Sequence, residues 1–594
     1  MDTLLASALP PEALPADSVI NTKPNKQSIL ARIGTLKKNR NTYEERWKAI
    51  RDYELPFLGE FDDTEDITEK GRRRDLAISN GVAWLANQAF AAGIMSGLTP
   101  PSRQWFKFGF SNTALSDDVE AARVLDQRQE IVEYILHRSN FYNSVHACYA
   151  ELPFGQAPLG VFTSPETGVR FQSYTVGSYY LDVSAGNRVD TFARKVRMNA
   201  AQIAQQFGVK NLPRQVKDAL TNEGRKYATT FDVWWLVMPN DKRTGSGGNL
   251  DMPYKSIYWV DGQDITENGG YLYVGGFKEF PVPTARYQVS GNDVYAKGPG
   301  WYAEGESKAL QTMKKDFLTA VEYVVKPPMA ATAATWQRGI NLIPGGVTIV
   351  DELNGAKSIG PILQTGIDLN WLSQEIVRSE DTIKRIYSAD LFLMLESIDT
   401  PQMTAREVME RQQEKLQQLG PVVERLQDEF LNPVIERVYN ILERSGLFPP
   451  LPQSVAERLA NADIKIEYIS PLAQAQKMSG LVNIEQALSF VGQMAQLYPD
   501  ALKMVDPLGT VKKYFELLGA PAVMQHSIED VQNMIQQEQE AMAQQAEEQQ
   551  QLQQAQAMAP ISQAAKNLTD AARGGNPALQ NLLGVSGPGG STVE

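Results

Sequence analysis

At 594 residues the chain exceeds what one compact hydrophobic core usually supports, so several subdomains are expected. Its hydrophobic fraction of 43% is ordinary for a water-soluble protein and excludes both a disordered polymer and a membrane protein. The formal net charge of -13 disfavours a conventional nucleic-acid binder, which is basic on at least one face.

The first quarter of the chain predicts helices after a flexible arm. The arm is residues 1–30, where prolines are frequent and the basic start of a signal peptide is missing. A helix is predicted from about Thr42, which stands three residues before a glutamate in the spacing of a capping box. The apolar stretch Gly81–Leu98 contains amide side chains and three glycines, so it predicts a buried helix and not a membrane span. Two more helices are expected within Asp117–Glu151.

Residues 160–288 change in texture to short β-branched or aromatic runs separated by turn residues, which predict strands. These runs are Val161–Thr163, Val169–Phe171, Thr191–Ala193, Phe231–Met238, Ile257–Val260 and Tyr271–Val274. Helices are expected near Ala200–Phe207 and Leu212–Leu220. The segment therefore predicts a mixed α+β domain inside a protein that is predominantly helical.

A pair of helices and then a much longer helix are predicted after the strands. The pair is Gly305–Val325 and Asn370–Ala389, separated by residues rich in turn signals. The long helix starts at Thr404 and carries apolar residues every three or four positions, so about forty residues form a rod of about 60 Å. Pro421 and Pro433 lie inside it and are expected to kink it without breaking it.

The C-terminal section is expected to be helical and to end in a disordered tail. Segment Ile528–Met558 is dominated by Gln, Glu and Ala, which favour helix, but its apolar positions are too sparse for a core of its own. Such a helix needs neighbours, most simply copies of itself, although a frayed low-complexity tail has the same composition. The Gly-, Ser- and Pro-rich end within residues 559–594 predicts disorder.

Reactive side chains are scarce, so no catalytic residue, metal or cofactor is predicted. Cys148 is the single cysteine, which excludes a disulfide within one chain, and the three histidines are too scattered for a zinc site. His146 and Cys148 lie two residues apart in a helical stretch, on different faces, which favours two bystanders over a catalytic pair. Phosphate-loop, dinucleotide and zincin motifs are missing, as is a credible nucleophile elbow. We expect the protein to stay in the cytoplasm, without a membrane partner, until it assembles.

Three stretches resemble the portal family, the head-to-tail connecting proteins of short-tailed, podovirus-type bacteriophages. The first ends in Leu98–Phe106 (LTPPSRQWF), the second is Gly298–Gly300 (GPG) with the helix that follows it, and the third runs from Met403 (MTAREV) to Pro433. Segment Asp182–Lys195 is also similar to the family, so the resemblance covers residues 30–455. Ala296 stands where the family pattern predicts a glycine, and this affects a local turn only.

The resemblance implies a portal fold, which is α+β and predominantly helical, and a ring of twelve identical subunits. Each subunit would have a wing, a stem, a clip and a crown, in the order of the predicted elements. The divisions are residues 31–303 (wing, first helical and then mixed), 304–326 and 370–389 (stem helices), 327–369 (clip), 390–402 (tunnel loop), 403–455 (long wing helix) and 456–558 (helical crown or barrel). Contacts around a closed ring are heterologous, so each subunit needs two different complementary faces.

The function implied by the resemblance is that of a structural portal in the virion. The ring would form a channel at one capsid vertex through which double-stranded DNA is packaged and ejected. Its implied partners are DNA in transit, the terminase motor, tail adaptor or tail tube proteins, and capsid and scaffolding proteins.

Candidate channel residues follow from the stem and tunnel-loop assignments. The stem cations are candidates for transient phosphate contacts, namely Lys314, Lys315, Arg378, Lys384 and Arg385. Salt bridges within or between subunits are an equal alternative, and Lys384 lies four residues after Glu380. The apolar run of the tunnel loop either faces DNA or is buried against the next subunit; it contains Leu391, Phe392, Leu393 and Met394.

A soluble adaptor or scaffolding protein is the main alternative. Its glutamine-rich helix would mediate assembly without a DNA channel, and a dimer, a trimer or an elongated form without a central hole would be expected. An enzyme such as a nuclease is a more distant alternative. It would need clustered carboxylates around a divalent metal, and the sequence predicts no such cluster.

Overall fold

The computed structural model describes most of the first 325 residues and parts of the remainder. The described ranges are 25–61, 78–110, 119–209, 212–243, 248–262, 271–325, 369–389, 419–450 and 464–469, with 329–331, 359–361 and scattered positions at 337 and from 484 onward. The helices are α1 (Lys26–Tyr53), α2 (Val82–Leu98), α3 (Val119–Arg138), α4 (Phe141–Glu151), α5 (Ala200–Phe207), α6 (Arg214–Thr221), α7 (Pro299–Val325), α8 (Leu369–Ile386), α9 (Gly420–Leu426) and α10 (Asn432–Arg444).

The strands form two sheets and two isolated pairs. They are β1 (Phe106–Phe110), β2 (Gln156–Ser164), β3 (Gly168–Ser173), β4 (Tyr179–Val183), β5 (Val189–Asn199), β6 (Thr230–Pro239), β7 (Tyr254–Val260), β8 (Tyr271–Phe277), β9 (Thr284–Arg286), β10 (Met329–Ala331), β11 (Ile359–Pro361) and β12 (Ile464–Tyr468). The larger sheet is antiparallel in the order β4-β5-β6-β7-β8, and the smaller has the order β3-β2-β9. The predicted mixed α+β segment is confirmed, with β4 and β9 as additional strands.

The five-stranded sheet is packed on both faces by aromatic side chains. Successive residues of β6 point to opposite faces. Trp234 therefore stacks on Trp259 of β7 on one face, with ring centroids 6.0 Å apart, and Trp235 stacks on Tyr258 on the other, at 5.5 Å. Both tryptophans are buried. Cross-strand aromatic pairs of this kind stabilise an antiparallel sheet and fix its register.

Helix α1 starts at Lys26 and not near Thr42, which corrects both the predicted helix start and the predicted end of the arm at residue 30. Asn25 caps the helix by accepting a hydrogen bond from the Gln27 N–H at 3.0 Å. Thr42 lies in mid-helix, where its hydroxyl donates to the Asn39 carbonyl. The early turns form because they pack on the sheet through buried apolar residues, namely Ile29, Ile33 and Leu36.

A second, helical core is built from segments far apart in the chain. Helices α2, α3, α4 and α10 contribute to it, together with β1, whose Phe106 and Phe108 are buried. Strand β12 pairs antiparallel with β1, with Phe106 opposite Tyr468. Residues 464–468, which lie just after the predicted division at residue 456, therefore pair with a strand of this core, and the division itself stays a prediction.

The described part of the predicted long helix is continuous from Gly420 to Arg444 but not uniform. Residues Gln427–Leu431 form a π-helical turn, closed by a hydrogen bond from the Asn432 N–H to the Gln427 carbonyl. Pro433 follows immediately. A proline has no N–H and clashes with the preceding turn of an α-helix, and the wider π turn accommodates both defects. The predicted start of this helix at Thr404 lies outside the described residues.

Candidate functional site

Helices α7 and α8, predicted as the two stem helices, form a helix pair that we call the α7–α8 hairpin. Helix α7 begins at Pro299, two turns before the predicted start at Gly305. Its first turns are buried against the five-stranded sheet and the helical core, which together we call the body. Beyond Gln311 most of its residues are exposed. Helix α8 ends at Ile386, and Ser388 then adopts a positive φ of 55° in the turn that terminates it.

The hairpin covers its inner side and leaves apolar side chains exposed on its outer sides. Ile376 and Ile383 of α8 are buried, with Met313 and Phe317 of α7 packed partly against the same core. On the outer sides lie Leu318, Tyr323, Val324, Val325, Trp371 and Val377, all counted among the exposed large hydrophobic side chains. Two helices packed on each other bury only one stripe each, so the apolar side chains on the outer sides stay exposed in the single subunit.

The predicted channel cations all lie on this hairpin, and their environments differ. Lys384 forms a salt bridge with Asp381 at 3.1 Å, and Arg378 lies 3.8 Å from Glu375 with a side chain that is 80% exposed. Lys314 is half-buried, with Nζ 5.6 Å from the ring centroid of Phe317. The exposed pairs Lys384–Asp381 and Arg378–Glu375 contribute little to stability.

The salt-bridge alternative thus holds for Lys384, with Asp381 as the partner in place of Glu380, which accepts a hydrogen bond from the Asn80 side chain at 2.6 Å. Lys315 and Arg385 are exposed. Within the described ranges, neither has a salt-bridge partner. Residues 312–325 and 369–386 carry five cations and five carboxylates, so the hairpin is electrically neutral rather than acidic.

A buried carboxyl joins the hairpin to α1. Glu54 is 1% exposed, and its Oε2 accepts a hydrogen bond from the Tyr387 hydroxyl at 2.6 Å. Burial raises the pKa of the Glu54 carboxyl to about 8; the bond from Tyr387 offsets part of this, and nearby Glu304 adds to it. Glu54 is therefore neutral in the folded protein at neutral pH, which lets it lie between α1, α7 and α8 without an unpaired buried charge.

A second polar contact fixes the axial position of α7 relative to α2 and α8. The Gln311 side chain accepts hydrogen bonds from the Ser79 and Asn80 N–H groups at 2.7 and 2.9 Å, and it donates to the Asn80 carbonyl. The Asn80 side chain in turn donates to Glu380. Through the Gln311 side chain on α7 and its own side chain to α8, Asn80 thus connects both helices of the hairpin to the loop before α2.

Buried ion pairs attach α9 and α10 to the strands. The Arg286 side chain is fully buried and binds Glu429 of the π turn through two hydrogen bonds, at 2.7 and 3.0 Å. Arg437, 1% exposed at its side chain, donates to the Val161 carbonyl at 2.9 Å and pairs with Glu279 at 3.1 Å. Paired geometry of this type satisfies charges that would be costly to bury alone.

Two of the sequence motifs that carry the resemblance have clear packing roles. In the Leu98–Phe106 motif, Trp105 is buried and stacks on Phe141, with planes 3° apart and centroids 6.0 Å apart. A Cβ on Gly298 would lie 2.0 Å from the Leu152 carbonyl oxygen, so only glycine fits there. Ala296, the departure from the family pattern, is buried and does not have a positive φ, so the turn does not require a glycine.

No reaction chemistry emerges in the described part of the chain. Cys148 is buried, and burial raises the pKa of its thiol far above the ordinary value, whereas His146 is exposed on another face. No three His, Cys, Asp or Glu side chains in the described ranges could hold a metal ion. In the described part of the chain, no helix is long and apolar enough to cross a membrane. Leu391, Phe392, Leu393 and Met394 lie outside the described residues.

Comparisons with known proteins agree on one family. A family model described as "Bacteriophage head to tail connecting protein" matches residues 26–525. The "Portal protein" of Salmonella phage epsilon15 is 33% identical over 512 residues, which cover 86% of this chain and 90% of that protein. The "Probable portal protein" of Bordetella phage BPP-1 is 30% identical over 492 residues, which cover 83% and 87%.

A solved chain titled "Virion of native gene transfer agent (GTA) particle" covers 73% of this chain and 93% of its own length. It is 11% identical with a TM-score of 0.29, and so weak a similarity carries no argument.

The chain belongs to the bacteriophage head-to-tail connecting protein family. This confirms the predicted resemblance, which rested on the Leu98–Phe106, Gly298–Gly300 and Met403–Pro433 segments. The family description and the relatives' names are those of structural proteins of a phage particle and not of enzymes. The mixture of helices and strands is that expected for the α+β class, with helices predominating.

Proposed function

We propose that this chain is the subunit of a ring-shaped portal at one vertex of a phage capsid. The ring, with twelve subunits, surrounds a channel through which double-stranded DNA is packaged and later ejected. Membership of the head-to-tail connecting family and the portal names of two relatives support this assignment. A non-channel adaptor or scaffolding protein is the alternative that the experiment below distinguishes.

The exposed apolar side chains of the α7–α8 hairpin are the observation that supports the ring. It extends from a body whose cores are complete, yet it exposes apolar residues such as Leu318 and Val377, 49% and 51% exposed. A helix pair that cannot bury its own apolar faces is stabilised by copies of itself arranged around it. In this arrangement the hairpin is the stem and lines the channel, residues 327–369 form the clip at its far end, and residues 390–402 form the tunnel loop.

The charge of the hairpin suits a channel that does not hold DNA. Phosphate contacts contribute to affinity in proportion to the number of cations that neutralise them. The hairpin offers five candidates, Lys314, Lys315, Arg378, Lys384 and Arg385, balanced by an equal number of carboxylates. Two of these cations already have partners within α8, Arg378 near Glu375 and Lys384 on Asp381. Exposed Lys315 and Arg385 are therefore the cations left for transient phosphate contacts, and Leu391, Phe392, Leu393 and Met394 of the tunnel loop would approach the duplex most closely.

The partners follow from the position at the vertex. The terminase motor and later the tail adaptor or tail tube proteins would dock at the clip end, and capsid and scaffolding proteins would contact the outside of the ring. Before assembly the subunit would reside in the host cytoplasm.

Negative-stain electron microscopy of the purified full-length protein tests this proposal. Class averages down the main axis should show rings of about twelve subunits with a central hole. A double variant, Lys315→Glu with Arg385→Glu, should assemble normally but reduce DNA packaging. Homogeneous small particles without a hole would contradict the portal assignment and favour the adaptor. Unchanged packaging by the double variant would remove these two cations from the channel wall.

A further inference from the structure

Helix α2 has an exposed face that carries no charge. None of its 17 residues is Asp, Glu, Lys or Arg, although the exposed face of a surface helix is normally charged. The face consists of exposed residues three or four positions apart, namely Leu85, Gln88, Ala92 and Ser96. Leu85 is 64% exposed, and beside it Phe57, 68% exposed, packs edge-on against Trp84. We call this surface the Leu85 face. A contiguous uncharged patch of this kind is typical of a protein interface.

A second uncharged stripe lies on α7. It consists of exposed residues at the same helical spacing, namely Tyr302, Gly305, Ala309 and Thr312, and we call it the Gly305 face. Gly305 stands inside a helix of 27 residues, where glycine weakens the helix relative to alanine. A Cβ placed on Gly305 would meet no atom of the described residues within 4 Å. The surface at Gly305 is therefore open to close approach by another chain.

The two faces lie on helices that both pack against α8. At one end of α2, Asn80 bonds to Gln311 of α7 and to Glu380 of α8. Ten residues further on, Phe90 of α2 lies against Tyr387, just past the end of α8, with centroids 6.4 Å apart. Helix α2 therefore runs parallel to α8 and antiparallel to α7.

This register sets the heights of the two faces. Leu85 lies five residues after Asn80 in α2. The stretch Gly305–Ala309 lies two to six residues before Gln311 in α7, which runs in the opposite direction. The helical rise of 1.5 Å per residue places Leu85 level with that stretch of α7. The largest aliphatic side chain of one face thus stands at the height of the two smallest residues of the other.

We propose that the Leu85 face of one copy packs antiparallel against the Gly305 face of the next copy, with Leu85 seated over Gly305 and Ala309. This inference rests on the proposed ring and names the two complementary faces that its heterologous contact requires. Rotation about a ring axis parallel to the hairpin does not change the position of any residue along that axis. Two faces that lie at the same axial position within one chain therefore also lie at the same axial position in neighbouring copies. The faces are also of similar length, about 16 Å from Leu85 to Ser96 and about 15 Å from Tyr302 to Thr312.

Cross-linking between copies tests the contact directly. The full-length variant with Leu85→Cys and Gly305→Cys should form a ladder of covalent dimers, trimers and larger species on mild oxidation, reversed by reductant. The native Cys148 is buried and does not interfere. Each single variant should remain monomeric on the same gel. The control pair Leu30→Cys with Gly305→Cys, in which Leu30 is an exposed residue of α1, should give no ladder.

A substitution series gives a second readout. Gly305→Gln should lower the yield of rings at least tenfold. Gly34→Gln, at another exposed helical glycine with open space around it, should leave the yield unchanged. Wild-type rings in micrographs with neither a ladder nor an effect of Gly305→Gln would overturn this interface and leave the portal assignment intact. Wild-type protein without rings would contradict the portal assignment as well.

Discussion

The five-stranded sheet and the α7–α8 hairpin solve the same packing problem in different ways. The sheet buries aromatic residues on both faces within one chain, with α1 covering the face that contains Trp234 and Trp259. The hairpin buries one stripe and exposes the rest, including Trp371, which is 63% exposed. Within the described residues the chain itself covers both faces of the sheet, whereas the hairpin keeps apolar side chains exposed that the other copies of the proposed ring would cover.

The largest expected effect is in the body, at the buried Arg286–Glu429 pair. Arg286→Ala leaves the Glu429 carboxylate with only Arg425, at 3.2 Å, and also removes the hydrogen bonds from Arg286 to Asn187, which together should cost about 3–5 kcal/mol in the free energy of unfolding. The matched control is Arg188→Ala, because Arg188 pairs with the adjacent Asp428 on the same π turn at 2.9 Å but is 63% exposed. That change should cost less than about 1 kcal/mol. Denaturant unfolding of dissociated subunits measures both, and equal losses would contradict the distinction between buried and exposed pairs.

Replacement of the glycine at the start of α7 should have the next largest effect. In Gly298→Ala the new Cβ would overlap the Leu152 and Pro153 carbonyl oxygens, so the backbone must shift, at a cost of about 2–4 kcal/mol. Gly34→Ala, in the exposed interior of α1, should instead stabilise by about 0.5–1 kcal/mol. Thermal unfolding should therefore move in opposite directions for the two variants. A neutral Gly298→Ala would show that α7 does not depend on this close contact.

The junction between body and hairpin should respond to pH. The pKa of Glu54 is about 8 in the folded protein against 4.5 as the reference value, so the contribution of its neutral form is fully present below about pH 4.5. This contribution is lost as the pH rises from about 4.5 through 8, because in that range the unfolded chain has released the proton while the folded chain still holds it. Glu54→Gln keeps a neutral group and should remove on the order of 3 kcal/mol of this pH dependence.

Unfolding curves between pH 5 and 8 measure the effect of Glu54→Gln. Glu45→Gln, an exposed carboxyl on the same helix, is the control and should follow the wild-type curve. Parallel curves for wild type and Glu54→Gln would mean that Glu54 is not buried as a neutral acid.

The smallest effect on subunit stability is expected on the hairpin's outer side. Leu318→Ser should change the free energy of unfolding of a dissociated subunit by no more than about 0.5 kcal/mol, because the side chain is half-exposed. The same variant should form fewer rings in sedimentation velocity experiments. Normal assembly would show that the outer side of α7 is not covered by a neighbouring subunit.

Local patterns in the sequence predicted much of the fold, but they did not predict the long-range contacts. Helix α5 has the predicted bounds, and the six predicted strand runs all lie within strands. The β1–β12 pairing joins residues more than 350 positions apart, and no local pattern indicates it. The start of α1 was missed although Ile29, Ile33 and Leu36 have the i, i+4, i+7 spacing of an amphipathic helix, because the prediction relied on the capping-box spacing at Thr42.

The candidate site was predicted through the family resemblance more than through chemistry. The cations of the hairpin are visible in the sequence, whereas the Glu54–Tyr387 contact joins residues 333 positions apart. Gln311 likewise looks ordinary in sequence, and only its four hydrogen bonds identify it as the anchor of the hairpin. Nothing in the sequence distinguishes Glu54 from an exposed glutamate, because its burial depends on the packing of α1 against the hairpin.

Hydrogen exchange of assembled and dissociated protein, followed by mass spectrometry, tests the central claim most directly. Peptides from residues 312–325 and 369–386 should exchange much more slowly in the assembled form, because neighbouring copies then cover the hairpin. Peptides from β5, β6 and β7 should exchange equally slowly in both forms. Equal protection of the hairpin in both forms, or a gain confined to the sheet, would contradict the division into a self-sufficient body and a hairpin completed by assembly.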